Sequence, residues 1–328
     1  MTAIATQIRD FAAGPLGGRA RDWLEGRRPE VVAARSAATV MILRDRHGVS
    51  TLGVSTPDVS GLDVSGLDVS GPEVSGSGAR RRGTRGGGVD VFMLRRSSSM
   101  EFAPRMMVFP GGGVDPRDAD PGLPWAGPSP AEWGRLLIAD EATARELVVA
   151  AVREVFEECG VLLAGPDAGS VVGDVSGPQW QSERAALLSH ELSLAQMLIG
   201  RGLVLRSDLL RARAHWITPE FEPKRYDTRF FAALLPQGQI ADDQTSEADH
   251  ADWVDPARLL RDYASGSALM LPPTVVCVEQ VAAAGSVDEF LAAEVQAAPV
   301  LPVPVYVDGA VFIRCALPGS GQLPLEGE

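Results

Sequence analysis

Three glutamates near the middle of the chain are spaced so that they can act together. Glu154, Glu157 and Glu158 stand at positions i, i+3 and i+4. On a helix this spacing places all three carboxylates on one face, within about 5–6 Å of one another. Like charges at that distance repel, and Mg²⁺ or Mn²⁺ would relieve the repulsion because both ions prefer clustered carboxylate oxygens. Arg153 would relieve part of it by pairing with Glu157 at i+4.

The same residues could instead form a solvated acidic face, which exposed helices commonly carry. The flanking sequence favours a metal site. Phe109-Pro-Gly-Gly-Gly-Val-Asp115 is a glycine turn after an apolar strand, and glycine lets backbone carbonyls approach a ligand or ion closely. Asp140 is a suitable N-cap for the glutamate helix, and Gly160 a suitable C-terminal stop.

The rest of the chain alternates between strand-like and helix-like segments. Apolar, β-branched runs predict strands at 38–43, 90–94, 215–217 and 228–235. The clearest helix is predicted at 140–159, with further helices near 8–23, 181–201 and 256–263. The apolar runs 301–306 and 310–316 flank Asp308-Gly309, which predicts a hairpin. The mixture predicts an α/β fold.

Two stretches interrupt this pattern. Residues 58–76 hold four copies of a five-residue repeat built on Val-Ser-Gly, followed by an arginine cluster and a glycine run. Four copies are too few for a solenoid, so we predict a flexible insertion over 51–88, whose arginines could serve as a handle for a partner. Residues 119–139 are rich in Pro and Gly and predict a loop or short helical insertion. We therefore divide the chain into an N-terminal extension at 1–36, a central domain at 37–284 and a C-terminal extension with a hairpin at 285–328.

The composition is that of a globular protein with an acidic surface. Of 328 residues, 43 are acidic and 30 basic, which gives a net charge of −13. Such a chain lacks the basic footprint of a nucleic-acid-binding protein. Cys159, Cys277 and Cys315 form no CxxC pair, so we expect neither a zinc knuckle nor a disulfide framework, and the cytoplasm is the expected compartment. We also expect no signal peptide and no membrane span.

The glutamate segment resembles the box of the Nudix hydrolases, G-x₅-E-x₇-R-E-U-x-E-E-x-G-U, where U is apolar. The second half of the box is matched by Arg153, Glu154, Val155, Glu157, Glu158, Gly160 and Val161. In the first half, Gly112 matches and Asp118 stands where the box has glutamate. Thirty-four residues separate Asp118 from Arg153, where the box has seven. Glu146, two helical turns before Arg153, is therefore an alternative first acid.

An insertion at this place is a trait of one branch of the superfamily, the coenzyme A diphosphatases related to the mammalian peroxisomal enzyme. Other segments resemble the same branch, at 94–97, 102–104, 108–112, 216–219, 225–231, 253 and 270–273. Glu101 and Arg105 depart from it, since the branch has arginine and glycine there. The resemblance implies a Nudix α/β/α sandwich with a mixed sheet between helices.

The resemblance also implies a role for each residue of the box. Glu157 and Glu158 would bind Mg²⁺ or Mn²⁺, and the carbonyl of Gly111 would add an oxygen ligand. Glu154 would act as general base or share a metal ion. Arg153 would orient the glutamates as a partner behind the metal ligands.

Residues outside the box could complete the site. Glu247 is the first candidate for a further carboxylate ligand and Asp249 the second, with a role in loop solubility as the alternative for both. Asp227 and Arg229 could contact the substrate phosphates, or they could simply pair with each other. Arg96 could also reach phosphate.

The implied reaction is hydrolysis of CoA or acyl-CoA to 3′,5′-ADP and 4′-phosphopantetheine. The departures at 101 and 105 leave a second hypothesis open, a Nudix pyrophosphatase acting on ADP-ribose, dinucleotides or damaged nucleoside triphosphates. A third is a non-catalytic Nudix-fold regulator, although a binding module has no need of three repelling carboxylates. The predicted partner is a small nucleotide substrate. We predict no nucleic-acid or membrane partner, and the C-terminal hairpin could mediate a homodimer.

Overall fold

The computed structural model describes residues 6–46, 87–97, 105–243, 248–293, 295 and 298–318. The strands are β1 (Thr6–Ala12), β2 (Arg35–Asp45), β3 (Val89–Arg96), β4 (Met107–Val108), β5 (Gly111–Gly113), β6 (Trp125–Ala126), β7 (Ala164–Gly165), β8 (Val204–Arg206), β9 (Arg211–Ile217), β10 (Tyr226–Leu234), β11 (Ala248–Val254), β12 (Pro299–Val300), β13 (Val303–Val307) and β14 (Ala310–Pro318). The helices are α1 (Gly17–Leu24), α2 (Pro130–Leu137), α3 (Glu141–Cys159), α4 (Pro178–Leu188), α5 (Leu194–Gly200), α6 (Pro256–Ala264), α7 (Pro272–Ala282) and α8 (Val287–Ala292). The repeat at 58–76 and its arginine cluster lie outside the described residues.

A mixed sheet forms the centre of the molecule. Its strands run in the order β11-β3-β2-β10-β9-β12, with the short β4 on β3 and β5 on β2. β2 and β10 pair in parallel, as do β9 and β12, and the other pairs are antiparallel. β5 extends the sheet beyond the end of β3, since Gly111 pairs with Thr39 and Gly113 with Ala37. The glycine turn is therefore part of the sheet.

Each face of the central sheet is covered by helices. Alternate side chains of β2 show the division, because Val40 and Ile42 pack with α3 in one core whereas Met41 and Leu43 pack with α7 and α8 in the other. This is the predicted α/β/α sandwich. Of the helices in the part of the chain that the structure describes, none is long and apolar enough to cross a membrane.

A second sheet joins the two terminal regions. β1 pairs with β14, and β14 forms the predicted hairpin with β13 around Asp308-Gly309. The predicted helix near 8–23 is therefore wrong in its first half, since residues Thr6–Ala12 form a strand and α1 begins only at Gly17. Thr6 pairs with Pro318, a contact that no local pattern could reveal.

The predicted helix at 181–201 is two helices. α4 ends at Leu188, and α5 begins after Ser193, whose hydroxyl accepts a hydrogen bond from the Gln196 amide in a capping box. His190 between them has φ of 62°, outside the helical region. The 119–139 insertion holds β6 and α2, and α2 is capped by Ser129 in the same way.

Candidate active site

The glutamate helix α3 is fixed at both ends. The Asp140 side chain accepts a hydrogen bond from the Thr143 amide at 2.9 Å, and Gly160 ends the helix with φ of 67°. The last turns of α3 are buried, with 4% of Arg153, 9% of Glu154, 6% of Glu157 and 5% of Glu158 exposed. The solvated acidic face is therefore wrong, because burying carboxylates is costly unless they are paired.

Arg153 holds the buried carboxylates together. Its Nη1 donates to Glu154 Oε1 at 2.8 Å and to Glu157 Oε2 at 2.9 Å. Its Nε and Nη2 donate to the two oxygens of Asp118 at 2.9 and 3.0 Å. The remaining bond runs from Nη2 to the Gly113 carbonyl at 2.9 Å. All five N–H groups of the guanidinium are used. Arg153 therefore joins α3 to the glycine turn and to Asp118.

These contacts distinguish the two candidates for the first acid of the box. Asp118 is 1% exposed and forms a two-bond pair with Arg153. Glu146 is partly exposed on α3, and with every Arg153 donor engaged it receives no bond from that residue. Asp118 is thus the acid that contacts Arg153, despite the long insertion between them.

The glycines bring the backbone against the carboxylates. The Gly111 amide donates to Glu158 Oε2 at 2.7 Å. A Cβ on Gly112 would lie 2.5 Å from Glu154 Oε1, and one on Gly111 would lie 2.4 Å from the Ala38 carbonyl oxygen. A side chain at Gly111 would collide with backbone, and one at Gly112 would displace the Glu154 carboxylate, whereas a Cβ on Gly113 would meet nothing within 4 Å.

The site carries excess negative charge. Burial raises the pKa of Glu154 to about 7, against the opposing effect of Arg153, and burial also raises the pKa of Glu157. Arg153 supplies one positive charge against the four carboxylates of Asp118, Glu154, Glu157 and Glu158. A divalent cation would compensate the excess, and its preferred ligands are the oxygens gathered here. Within the described residues, no three acidic, histidine or cysteine side chains already converge as a metal cage. Glu154 and Glu157 face Arg153 and Glu158 faces Gly111, so the carboxylates would turn to bind an ion.

A second buried arginine anchors the C-terminal end of α3, and the sequence did not single it out. Arg184 on α4 donates from Nε to the Glu157 carbonyl at 2.9 Å and from Nη1 to both oxygens of Asp242 at 2.8 Å. The Asp242 amide donates to the Cys159 carbonyl at 3.0 Å. A Cβ on Gly160 would lie 2.7 Å from Asp242 Oδ2. Arg184 and Asp242 thus satisfy carbonyls that a helix end leaves open, and their ion pair holds Asp242 beside the end of α3.

Asp227 and Arg229 pair with each other on β10. The Arg229 Nη1 donates to Asp227 Oδ1 and contacts His215 Nε2 at 2.6 Å. Its Nε donates to the carbonyl of Leu137, the last residue of α2, at 3.0 Å. Arg229 is 5% exposed. The structure thus brings these two residues together as a buried link between the central sheet and the insertion.

The remaining candidates lie at other places. Arg96 is the last residue of β3, and it lines an apolar cleft that Gly111 also lines. Asp249 is exposed on β11. Glu247 lies outside the described residues.

Two sequence segments that resembled the CoA branch meet in one cleft. Trp216–Pro219 at the end of β9 and Leu271–Thr274 at the start of α7 both line it, together with Phe109 and Gly111. Arg105, where the branch has glycine, has φ of 60°. Glycine adopts this left-handed conformation at the lowest cost, so the backbone keeps the glycine-like geometry although the residue differs.

Comparisons with known proteins agree with this site and fold. A family model described as the NUDT19 Nudix domain matches residues 130–281. Putative nudix hydrolase 7 of Caenorhabditis elegans is 27% identical over 230 residues, which cover 70% of this chain and 68% of that protein. Acyl-coenzyme A diphosphatase NUDT19 of Xenopus laevis is 24% identical over 221 residues, 56% of this chain. This chain spans only 57% of that vertebrate relative's length.

A solved structure shows the same architecture. The Nudix hydrolase from Alicyclobacillus acidocaldarius superimposes with a TM-score of 0.55 and 25% sequence identity, over 78% of this chain and 95% of that one. In fold and in sequence the chain is similar to the Nudix hydrolases, and its matches indicate a Nudix diphosphatase. The family model and the curated relatives are of the NUDT19 type, the branch that the insertion within the box indicated.

Proposed function

We propose that the protein hydrolyses the diphosphate of CoA or acyl-CoA in a reaction that depends on Mg²⁺ or Mn²⁺, giving 3′,5′-ADP and 4′-phosphopantetheine or its acyl form. The observation that carries the proposal is the buried carboxylate cluster around Arg153, which lies against Gly111–Gly113 and is under-compensated in charge. The names of the vertebrate relatives support CoA as the substrate class.

The carboxylate cluster would supply both the metal ligands and the proton acceptor. Glu157, Glu158 and the Gly111 carbonyl would hold the metal, with Glu247 as a further ligand. When bound, the ion would screen the phosphate oxygens and lower the pKa of a water molecule. Glu154 would take the proton of the attacking water or share the metal. The water oxygen bonds to phosphorus while the bond to the bridging oxygen breaks, and the bridging oxygen leaves with the departing phosphate.

Arg153 would act indirectly, by positioning the glutamates of the cluster. Its bonds to Glu154 and Glu157 would hold these two carboxylates near the glycine turn, while its bonds to Asp118 and to the Gly113 carbonyl would anchor the guanidinium there. Arg96, which lines the cleft together with Gly111, would meet substrate phosphate. Asp227 and Arg229 would support the site by holding α2 on the sheet.

The test is mass spectrometry of the products after incubation with CoA and Mn²⁺. We expect 3′,5′-ADP and 4′-phosphopantetheine, formed by the wild-type protein and by Glu146→Gln, and lost in Glu157→Gln. Glu146 lies on the same helix and receives the same substitution, which makes it the matched control. Intact CoA alongside turnover of ADP-ribose or a dinucleotide would contradict the proposed substrate but not the metal site.

A further inference from the structure

An apolar cleft of about 190 Å³ lies on the face of the central sheet opposite α3. Its floor comes from three adjacent strands. Thr39 of β2 pairs in register with Phe230 of β10, and Thr228 of β10 pairs with Trp216 of β9. Threonine hydroxyls thus alternate with aromatic rings along the floor. Leu271 and the prolines that begin α7 form one wall.

One part of this cleft lies next to the carboxylate cluster, at Gly111. Gly111 lines the cleft, and its amide donates to Glu158 at 2.7 Å. Arg96 lines the cleft as well. A substrate whose diphosphate lies at the carboxylates would therefore continue past Gly111 into the cleft.

The terminal regions of the chain line another part of the cleft, called here its closed end because its residues Leu16, Pro302 and Ile313 are buried. Leu16 precedes α1, and Pro302 and Ile313 belong to the C-terminal segment that includes β14. α1 is tied to this place by Arg19, which donates to Glu222 at 2.9 Å, and the Glu222 side chain is 2% exposed. The closed end is thus apolar, with a buried carboxylate whose charge is already paired.

This environment discriminates between the two halves of the proposed substrate. The nucleotide half carries a 3′-phosphate, and burying that dianion beside a carboxylate and apolar walls would be costly. The pantetheine half carries amides, which threonine hydroxyls can hydrogen-bond, and it ends in a sulfur that can bear an apolar acyl group.

We propose that the cleft receives the pantetheine arm along Thr39 and Thr228, and the acyl group at the end bounded by Leu16 and Ile313. This inference rests on the proposed function and adds that the two terminal regions set which acyl chains the enzyme accepts. Leu16 is then a specificity-determining residue.

Replacing Leu16 tests the inference. Leu16→Trp fills the closed end, so we expect kcat/KM for a long-chain acyl-CoA to fall at least tenfold while kcat/KM for free CoA stays within about twofold. Leu16→Ala enlarges the same end and should shift the preference towards longer chains. Leu188→Trp, on the surface of α4, is the matched control and should change neither value.

If a folded Leu16→Trp protein kept the wild-type ratio of kcat/KM for acyl-CoA to kcat/KM for CoA, the cleft assignment would be overturned. The proposed function would still stand. No release of 3′,5′-ADP from either substrate by the wild-type protein would contradict the proposed function itself, and the inference with it.

A second measurement does not depend on how the variants fold. The wild-type protein is mixed with an acyl-CoA that carries a photoreactive diazirine at the end of its acyl chain, and irradiated at once. We expect the label in peptides that contain Leu16, Ile313 or Leu271. Labelling confined to peptides of α4 and α5 would overturn the assignment.

Discussion

Arg153 and Asp118 share two hydrogen bonds, of 2.9 and 3.0 Å, although 34 residues lie between them in the chain. Both side chains are buried. The insertion that separates the two parts of the Nudix box therefore leaves the contact between them in place. Residues 119–139 form β6 and α2. The chain then enters α3, where Arg153 contacts Asp118.

Removing the charge of Asp118 should weaken both folding and catalysis. Breaking a buried ion pair by changing one partner typically costs about 3–5 kcal/mol, because the other charge stays buried. We expect Asp118→Asn to lower the free energy of unfolding by about that amount and to reduce kcat. Denaturant unfolding and steady-state kinetics measure the two effects. Glu146→Gln is the control, and equal behaviour of the two variants would show that Asp118 has no special role.

Adjacent glycines should respond very differently to one added methyl group. A Cβ on Gly112 would lie 2.5 Å from the Glu154 carboxylate, whereas a Cβ on Gly113 meets nothing within 4 Å. Because displacing a catalytic group by about 1 Å can cost about 10²-fold in rate, we expect Gly112→Ala to lose activity on that scale and Gly113→Ala to retain it. Similar kcat/KM values for the two variants would contradict the close approach of Gly112 to Glu154.

Arg229 should matter for stability more than for substrate binding. It is buried, pairs with Asp227 and bonds the last carbonyl of α2. We expect Arg229→Gln to lower the melting temperature clearly and to leave KM within about twofold, while Arg135→Gln, an exposed arginine on α2, changes neither. A rise in KM with an unchanged melting temperature would show instead that Arg229 contacts the substrate.

The three cysteines should be unreactive in the folded protein. Burial raises the pKa of the Cys277 and Cys315 thiols to about 12 and raises that of Cys159 as well. Since the thiolate is the reactive form, a thiol reagent at pH 8 should label none of them in native protein and all three after denaturation. Rapid labelling of one equivalent in the native state would contradict this.

Local sequence signals were sufficient to predict the glutamate helix α3. Asp140 and Gly160 mark its ends, and the spacing of Arg153 and Glu157 indicates their ion pair, which the structure confirms. The helix predicted near residue 8 failed because β1 is stabilised by β14, some three hundred residues away. The local residue pattern near residue 8 carries no information about pairing with β14.

The rest of the site depends on tertiary contacts. Asp118 has the box spacing to Gly112, whereas Glu146 lies two helical turns before Arg153, and only the fold shows which of the two acids contacts Arg153. Arg184 contacts α3 from α4, a helix with no sequence motif around this arginine. The cleft likewise combines segments from both ends of the chain, so its shape could not be predicted from any one of them.

The most direct test of the central claim is the affinity of the protein for Mn²⁺, measured by titration calorimetry on the wild type, Glu157→Gln and Glu146→Gln. If the buried carboxylates around Arg153 exist to hold a divalent ion, Glu157→Gln should weaken Mn²⁺ binding at least tenfold and Glu146→Gln should leave it within about twofold of wild type. Equal affinities in all three proteins would contradict the metal site, and with it the proposed mechanism.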